Sequence, residues 1–291
     1  MKKTAKIKST ILEFLIDAYP DSPRTRIKKI LKSGTLTVNE RPVTLHSFIV
    51  NPGDIVEVNK QQGQFKASKN HLPFPILFSD KDFIVVDKPA GRPTSSIDGS
   101  LSVRDIVSEM LLDQSFGKQK AHVVHRLDKE VSGVLLFAKS EEAMEDLKDK
   151  WQETEKRYFA FVEGVPEKKE DTISGWLRED NRQLVHSTTE QEGAKFSVTH
   201  YKLIRTVGGN ALLDIKTDTG RKNQIRVHMS EMGHPIIGDR RYGASDKFKR
   251  RIRLHAYHLS FPHPYTDKII TVKSQMPAGF LELKPQDEKY K

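Results

Sequence analysis

The chain has 291 residues, enough for two domains and a sizeable core. Lysine and arginine outnumber aspartate and glutamate by 49 to 39, and the net charge of +10 favours a polyanionic partner, of which nucleic acid is the commonest. No cysteine is present, which excludes disulfides, thiolate zinc sites and cysteine nucleophiles. Met1–Lys8 leads into no apolar h-region and no apolar stretch reaches membrane-spanning length, so a cytoplasmic protein with no membrane partner is expected.

Thr10 and Glu13 stand three apart as a capping box. Ile11, Phe14, Leu15, Ala18 and Tyr19 follow at the spacing of an amphipathic helix. Ser22-Pro23 reads as the cap and first residue of a second helix that stops at Gly34. On it Arg24, Lys28 and Lys32 fall four apart and form one basic stripe, while Ile27, Ile30 and Leu31 turn inward. Thr35 to Val38 and Asp54 to Val58 read as short strands, with turns at Asn39-Glu40 and Pro52-Gly53. Residues 1–60 are therefore expected to form a small α/β unit, and the polar, weakly patterned residues 61–73 a linker.

From residue 74 to 291 strand and helix signals mix without regular alternation. Phe83 to Val86 is a strand signal ending in the turn Asp87-Lys88-Pro89-Ala90-Gly91. Glu141 to Trp151 reads as a helix capped by Ser140, and Arg157 to Val162 and Ala211 to Thr217 as strands. After Asp218-Thr219-Gly220-Arg221 a helix carries Ile225, His228, Met229 and Met232 inward and stops at Gly233. This mixture predicts an α+β domain around a mainly antiparallel sheet.

The densest chemistry lies at His125-Arg126-Leu127-Asp128-Lys129-Glu130-Val131-Ser132-Gly133, followed at once by the apolar run Val134-Leu135-Leu136-Phe137-Ala138. One carboxylate sits between cations, on a loop braced by what reads as a buried strand. Nearby cations lower a carboxylate's pKa and favour its ionised form, and such loops commonly present reactive groups. A surface aspartate paired with Arg126 or Lys129 would have the same local pattern, so these residues alone leave both readings open.

Residues 9–58 resemble the S4 RNA-binding domain. The likeness rests on the basic helix-turn-helix and on Gly34-Thr35-Leu36-Thr37-Val38-Asn39 and Val50-Asn51-Pro52-Gly53-Asp54-Ile55-Val56-Glu57-Val58. It departs at Thr10-Ile11-Leu12-Glu13, where many members have Arg-Leu-Asp before the first helix. Residues 74–275 resemble, in order and spacing, the catalytic domain of the RluA family of pseudouridine synthases. The carriers are Val86-Asp87-Lys88-Pro89-Ala90-Gly91, the His125 to Gly133 stretch, Lys156-Arg157-Tyr158 and Thr219-Gly220-Arg221 with Gln224-Ile225-Arg226-Val227-His228. Gly238-Asp239-Arg240-Arg241-Tyr242-Gly243 and Leu254-His255-Ala256 complete the series.

The resemblance implies an α+β fold with a mainly antiparallel mixed sheet in residues 74–291, preceded by a small α/β S4-like domain in residues 1–60. It implies isomerisation of specific uridines to pseudouridine in structured RNA, ribosomal or transfer, with no cofactor and no metal; a monomer is expected. Asp128 is then the carboxylate that acts on the ribose, by attack at C1′ or by taking the C2′ proton, and the residues do not choose between the two. Tyr158 is expected to stack on the uracil and is a candidate to take the C5 proton. Arg226 is expected to pair with Asp128, and Arg126 to fill the gap left by the flipped base. Arg221 and Lys222 either bind phosphate at a helix N-terminus or sit in an exposed basic loop.

Two departures from this family's pattern stand out: Glu130-Val131 where many members have Asp-Thr, and Asn223 where many have His. Neither replaces a proposed catalytic residue, and both are expected to bear on the choice of RNA. Among competing classes, a zinc base deaminase needs cysteines. A glycosidase-like hydrolase needs a second carboxylate, for which Glu130 is the near candidate. The alternative is a non-catalytic S4-type RNA-binding protein, disfavoured by the joint presence of Asp128, Tyr158 and Arg226.

Overall fold

Thr10 opens the first helix as its spacing with Glu13 predicts. Its hydroxyl accepts from the Glu13 N–H at 3.2 Å, and the Glu13 carboxylate accepts from the Thr10 N–H at 2.9 Å. The computed structural model describes residues 2–20, 27, 31, 36–39, 41–43, 48–58, 72–96, 100–115, 117–245 and 251–283. They fall into two units, residues 1–71 with 96–100 and residues 72–95 with 101–291.

The first unit contains β1 (Lys2–Thr4), β2 (Ser9–Thr10), α1 (Ile11–Ala18), β3 (Leu36–Val38), β4 (Arg41–Pro42), β5 (Ile49–Val50) and β6 (Ile55–Val58). Four strands form a sheet in the order β1-β6-β3-β4, and β2 pairs with β5. Ile11, Leu15, Ile27, Leu31, Leu36, Val38 and Val56 make its core, so Ile27 and Leu31 face inward as their helical spacing predicts. Arg24, Lys28, Lys32 and the stop at Gly34 lie outside the described residues, as do residues 61–71 of the expected linker.

The second unit contains β7 (Ile76–Ser79), β8 (Phe83–Lys88), α2 (Val103–Gln114), β9 (His122–Val123), β10 (Ser132–Ala138), α3 (Glu141–Asp149) and β11 (Glu155–Val162). It continues with β12 (Glu170–Glu179), β13 (Val185–Thr188), β14 (Lys195–Val207), β15 (Asn210–Thr217), α4 (Gln224–Glu231), β16 (Leu254–Pro262) and β17 (Ile269–Lys273). Eleven strands make one sheet in the order β13-β12-β14-β15-β11-β16-β10-β8-β7, with β17 on β16 and β9 on β10. The architecture is α+β and the sheet mainly antiparallel.

Strand β10 is buried on both faces, which is why its sequence is an unbroken apolar run. Leu135 and Phe137 meet Val103, Val107 and Leu111 of α2 and Met229 of α4. Val134, Leu136 and Ala138 meet Ala143 and Leu147 of α3 and Phe261 of β16. The pair β10–β16 is the one parallel pairing among the described strands, with Ser132 opposite His255 and Gly133 opposite Ala256. A Cβ on Gly133 would lie 2.0 Å from the Ala256 carbonyl oxygen, and the residue has φ +119°, so only glycine lets the two strands approach.

Helix α4 begins later than predicted. Asn223, in the left-handed region at φ 53°, precedes it, and Gly233 at φ +83° follows it. Trp151 lies beyond the end of α3, in a short 3-10 turn.

Candidate active site

The loop that carries Asp128 is tied down from the β8 side. Lys88 is fully buried, and its ammonium donates to the carbonyls of Pro89 at 3.1 Å, Arg92 at 2.7 Å and Lys129 at 3.2 Å. The Gly91 N–H also donates to the Lys129 carbonyl, at 2.7 Å. Thr94 adds a two-way clasp: its hydroxyl donates to the Leu127 carbonyl at 2.8 Å and accepts from the Leu127 N–H at 3.1 Å. Burial pushes the Lys88 ammonium down to about 8, against the pull of Asp128 and Glu130. The Lys-Pro-Ala-Gly turn thus fastens the loop it faces.

His125 fastens the same loop to β10. Its Nε2 accepts from the Leu136 N–H at 3.0 Å, so the ring proton resides on Nδ1, and the ring lies 5.1 Å from that of Trp151. Burial and the charge of Lys156 push its pKa down to about 3, so it is neutral at physiological pH. Through that bond it holds the chain against β10.

Arg126, Asp128, Tyr158, Thr217, Arg221, Asn223 and Arg226 line one pocket. Arg226 Nη1 donates to Asp128 Oδ2 at 3.4 Å, across 98 residues of sequence. Arg226 is nearly buried and is held from behind by Asp239, which accepts from Nε at 2.6 Å and from Nη2 at 2.8 Å. Burial raises the Asp128 carboxyl above its ordinary value, although Arg226 lowers it; Glu130 and Asp239 add to the rise. The sequence reading expected the opposite direction. Desolvation is the largest influence here, Arg126 and Lys129 are exposed, and Arg226 is shared with Asp239.

Tyr158 sits on β11 opposite Ile215 of β15 and Ala256 of β16, beside a register shift between Arg157 and Tyr158. Such bulges re-aim side chains next to active sites. Burial, then the charge of Asp128, pushes the Tyr158 phenol up to about 12, so it stays protonated at neutral pH and suits stacking better than proton removal.

Among the remaining expected residues, Arg126 is exposed on the pocket lining. Arg221 also lines it, with Nε donating to the Phe196 carbonyl at 2.9 Å, and the Lys222 ammonium pairs with Glu179. Asn223 also lines the pocket but is buried, with 7% exposure, so little of it is open to solvent. In the sequence Asp239 and Lys88 stand only as parts of motifs; residue type alone does not say which cation or carbonyl they meet.

Away from the pocket, Asp80, Asp82 and His263 bring possible metal ligands within 4.8 Å of one another. His263 Nδ1 accepts from the Tyr265 N–H at 3.2 Å, so Nε2 carries the proton and donates to Asp80 at 3.1 Å. Asp80 also accepts from the N–H groups of Asp82 and Phe83, which makes the cluster a hydrogen-bonded turn.

The sequence profile of the family described as RNA pseudouridylate synthase matches residues 82–231. An uncharacterized RNA pseudouridine synthase of Synechocystis sp. is 30% identical over 284 residues, covering 93% of this chain and 86% of that protein. The chain belongs to the RNA pseudouridylate synthase family.

This synthase is also similar to the Zymomonas mobilis protein named ribosomal large subunit pseudouridine synthase D, with 33% identity covering 71% of this chain and 70% of that one. Among solved structures, human RNA pseudouridylate synthase domain containing 1 gives a TM-score of 0.58 at 26% identity, over 74% of this chain and 86% of that one. Human RNA pseudouridylate synthase domain containing 4 shares the fold, with a TM-score of 0.61 at 24% identity over 70% and 89% of the two chains. The profile match spans Asp128, Tyr158 and Arg226 and ends before Asp239, so the clamp behind Arg226 comes from beyond the matched segment.

Proposed function

We propose that this synthase converts specific uridines of structured RNA to pseudouridine, with ribosomal RNA as the substrate class and Asp128 as the group acting on the ribose. The C1′–N1 bond breaks, C1′ bonds to C5, the C5 proton leaves and N1 gains one. No electrons are exchanged, so the reaction calls for no redox cofactor, and the charge work falls to side chains. Asp128 acts at C1′ or at the C2′ proton, Arg226 orients its carboxylate, and Tyr158 stacks on the base. Arg126 occupies the space left by the flipped nucleotide, and Arg221 and Lys222 supply phosphate contacts. The observation that carries this reading is the Asp128 carboxylate 3.4 Å from a buried arginine, in a pocket shared with Arg126 and Tyr158.

Ribosomal RNA is favoured because two relatives, from Zymomonas mobilis and Neisseria meningitidis, are named ribosomal large subunit pseudouridine synthase D. Residues 1–60 are proposed as an S4-like RNA-binding domain contacting RNA through Arg24, Lys28 and Lys32, residues 61–73 as a linker, and residues 74–291 as the catalytic domain. A cytoplasmic monomer completes the reading. The test follows release of the C5 hydrogen from labelled uridine in ribosomal RNA, with RNA binding measured in parallel. Asp128→Asn is expected to lose turnover on the order of 10³-fold while keeping RNA affinity. Turnover within a few-fold of the parent protein would overturn the proposal.

A further inference from the structure

Arg226 has more partners than a simple counter-ion needs, and their arrangement is directional. Nε and Nη2 are committed to Asp239. Nη1 carries two protons; one faces Asp128 Oδ2 at 3.4 Å and the other donates to Asn223 Oδ1 at 3.0 Å. Asn223 Nδ2 donates in turn to the Tyr242 hydroxyl at 2.9 Å, which also accepts from the Val185 N–H at 3.2 Å. The Tyr242 ring lies under the guanidinium, 4.9 Å from its carbon.

The amide of Asn223 has only one workable orientation in this setting. A guanidinium offers donors and no acceptor, so the amide oxygen must face Arg226 and the NH₂ must face Tyr242. The backbone contributes as well: Asn223 holds φ 53°, a left-handed conformation that asparagine tolerates better than most residues. Asp239 alone fixes one edge of the guanidinium fork. The second contact, on Nη1, fixes where the last Nη1 proton points.

We propose that Asn223 is a positioning residue that aims the free Nη1 proton of Arg226 at the Asp128 carboxylate. The inference rests on the catalytic reading of Asp128 given above. It differs from the expectation that this position bears on the choice of RNA: the side chain is buried in the pocket lining, with its amide oxygen bonded to Arg226. The side chain is neutral and holds Arg226 without adding to the carboxylates of Glu130 and Asp239 already near Asp128.

The test compares the parent protein with Asn223→Gly and Asn223→Asp on the same ribosomal RNA. Glycine keeps the left-handed backbone and removes the amide. Aspartate keeps an acceptor for Nη1 but adds a carboxylate that competes with Asp128 for the arginine. For Asn223→Gly, kcat is expected to fall on the order of tenfold with RNA affinity within about twofold. In both variants the acid limb of the pH–kcat profile is expected at higher pH than in the parent. Should Asn223→Gly fail to fold, as judged by its thermal melt, the acid limb of Asn223→Asp decides alone. An unchanged kcat and acid limb would overturn the proposal, and so would a loss of RNA affinity with kcat intact, which would assign Asn223 to RNA contact. A parent protein with no turnover at all would instead overturn the catalytic reading.

Discussion

Asp128 is pulled in two directions, and burial exceeds the attraction of Arg226. Its folded pKa lies above the ordinary 3.8, so between those two values the folded chain binds more protons than the unfolded one. Stability therefore falls as pH rises through that window, and at neutral pH the ionised Asp128 is a destabilising group. Asp128→Asn is expected to melt at or above the temperature of the parent protein while losing turnover; a clearly lower melting temperature would contradict this sign. Activity should show an acid limb centred above 3.8. Arg226→Lys should move that limb further up, because a lysine held by Asp239 presents no fixed fork to Asp128. Initial rates across pH, with a melt of each variant, check both statements. At this scale the sequence made Asp128, Tyr158 and Arg226 legible as members of ordered motifs. Asp239 and Asn223 were not legible as partners, because a carboxylate or an amide in a motif carries no mark of which cation it will meet.

Elements differ in how openly they announce themselves. Strand β10 was readable because burial on both faces removes every polar residue after Gly133. Helix α2 was overlooked, although Ser102 and Asp105 form a capping box and Val103, Val107 and Leu111 fall on its buried face. Strands β12 and β14 are also unmarked: β12 is largely exposed, and the buried positions of β14 alternate at Ser197, Thr199 and Tyr201 but two of the three are polar, so no apolar alternation or run shows. Two substitutions test the elements that position the site. Gly133→Ala forces β10 away from the Ala256 carbonyl and is expected to cost about 3 kcal/mol or more, read from urea denaturation. Ser102→Ala removes the α2 cap and should cost about 1 kcal/mol with turnover little changed, since no residue of α2 lines the pocket of Asp128.

On the scale of the whole molecule the net charge of +10 becomes a measurable property. If the basic surface tracks RNA, affinity should fall steeply with salt because each phosphate contact releases counterions. Replacing Arg24, Lys28 and Lys32 together by Gln should weaken binding and reduce the slope of log affinity against log salt by about 2, with the chemical step unaltered once RNA is saturating. A slope equal to that of the parent protein would remove those three residues from the RNA track. The long sequence separations inside the pocket have a consequence of another kind, one of time. Asp128 meets Arg226 only 98 residues later, and Ser132 bonds His255 only 123 residues later. At about 5–20 residues per second, a chain being synthesised carries Asp128 for about 5–20 s before the arginine that meets it exists. A product cut short before Asp239 would display the whole His125 to Gly133 stretch and still lack the carboxylate that holds Arg226.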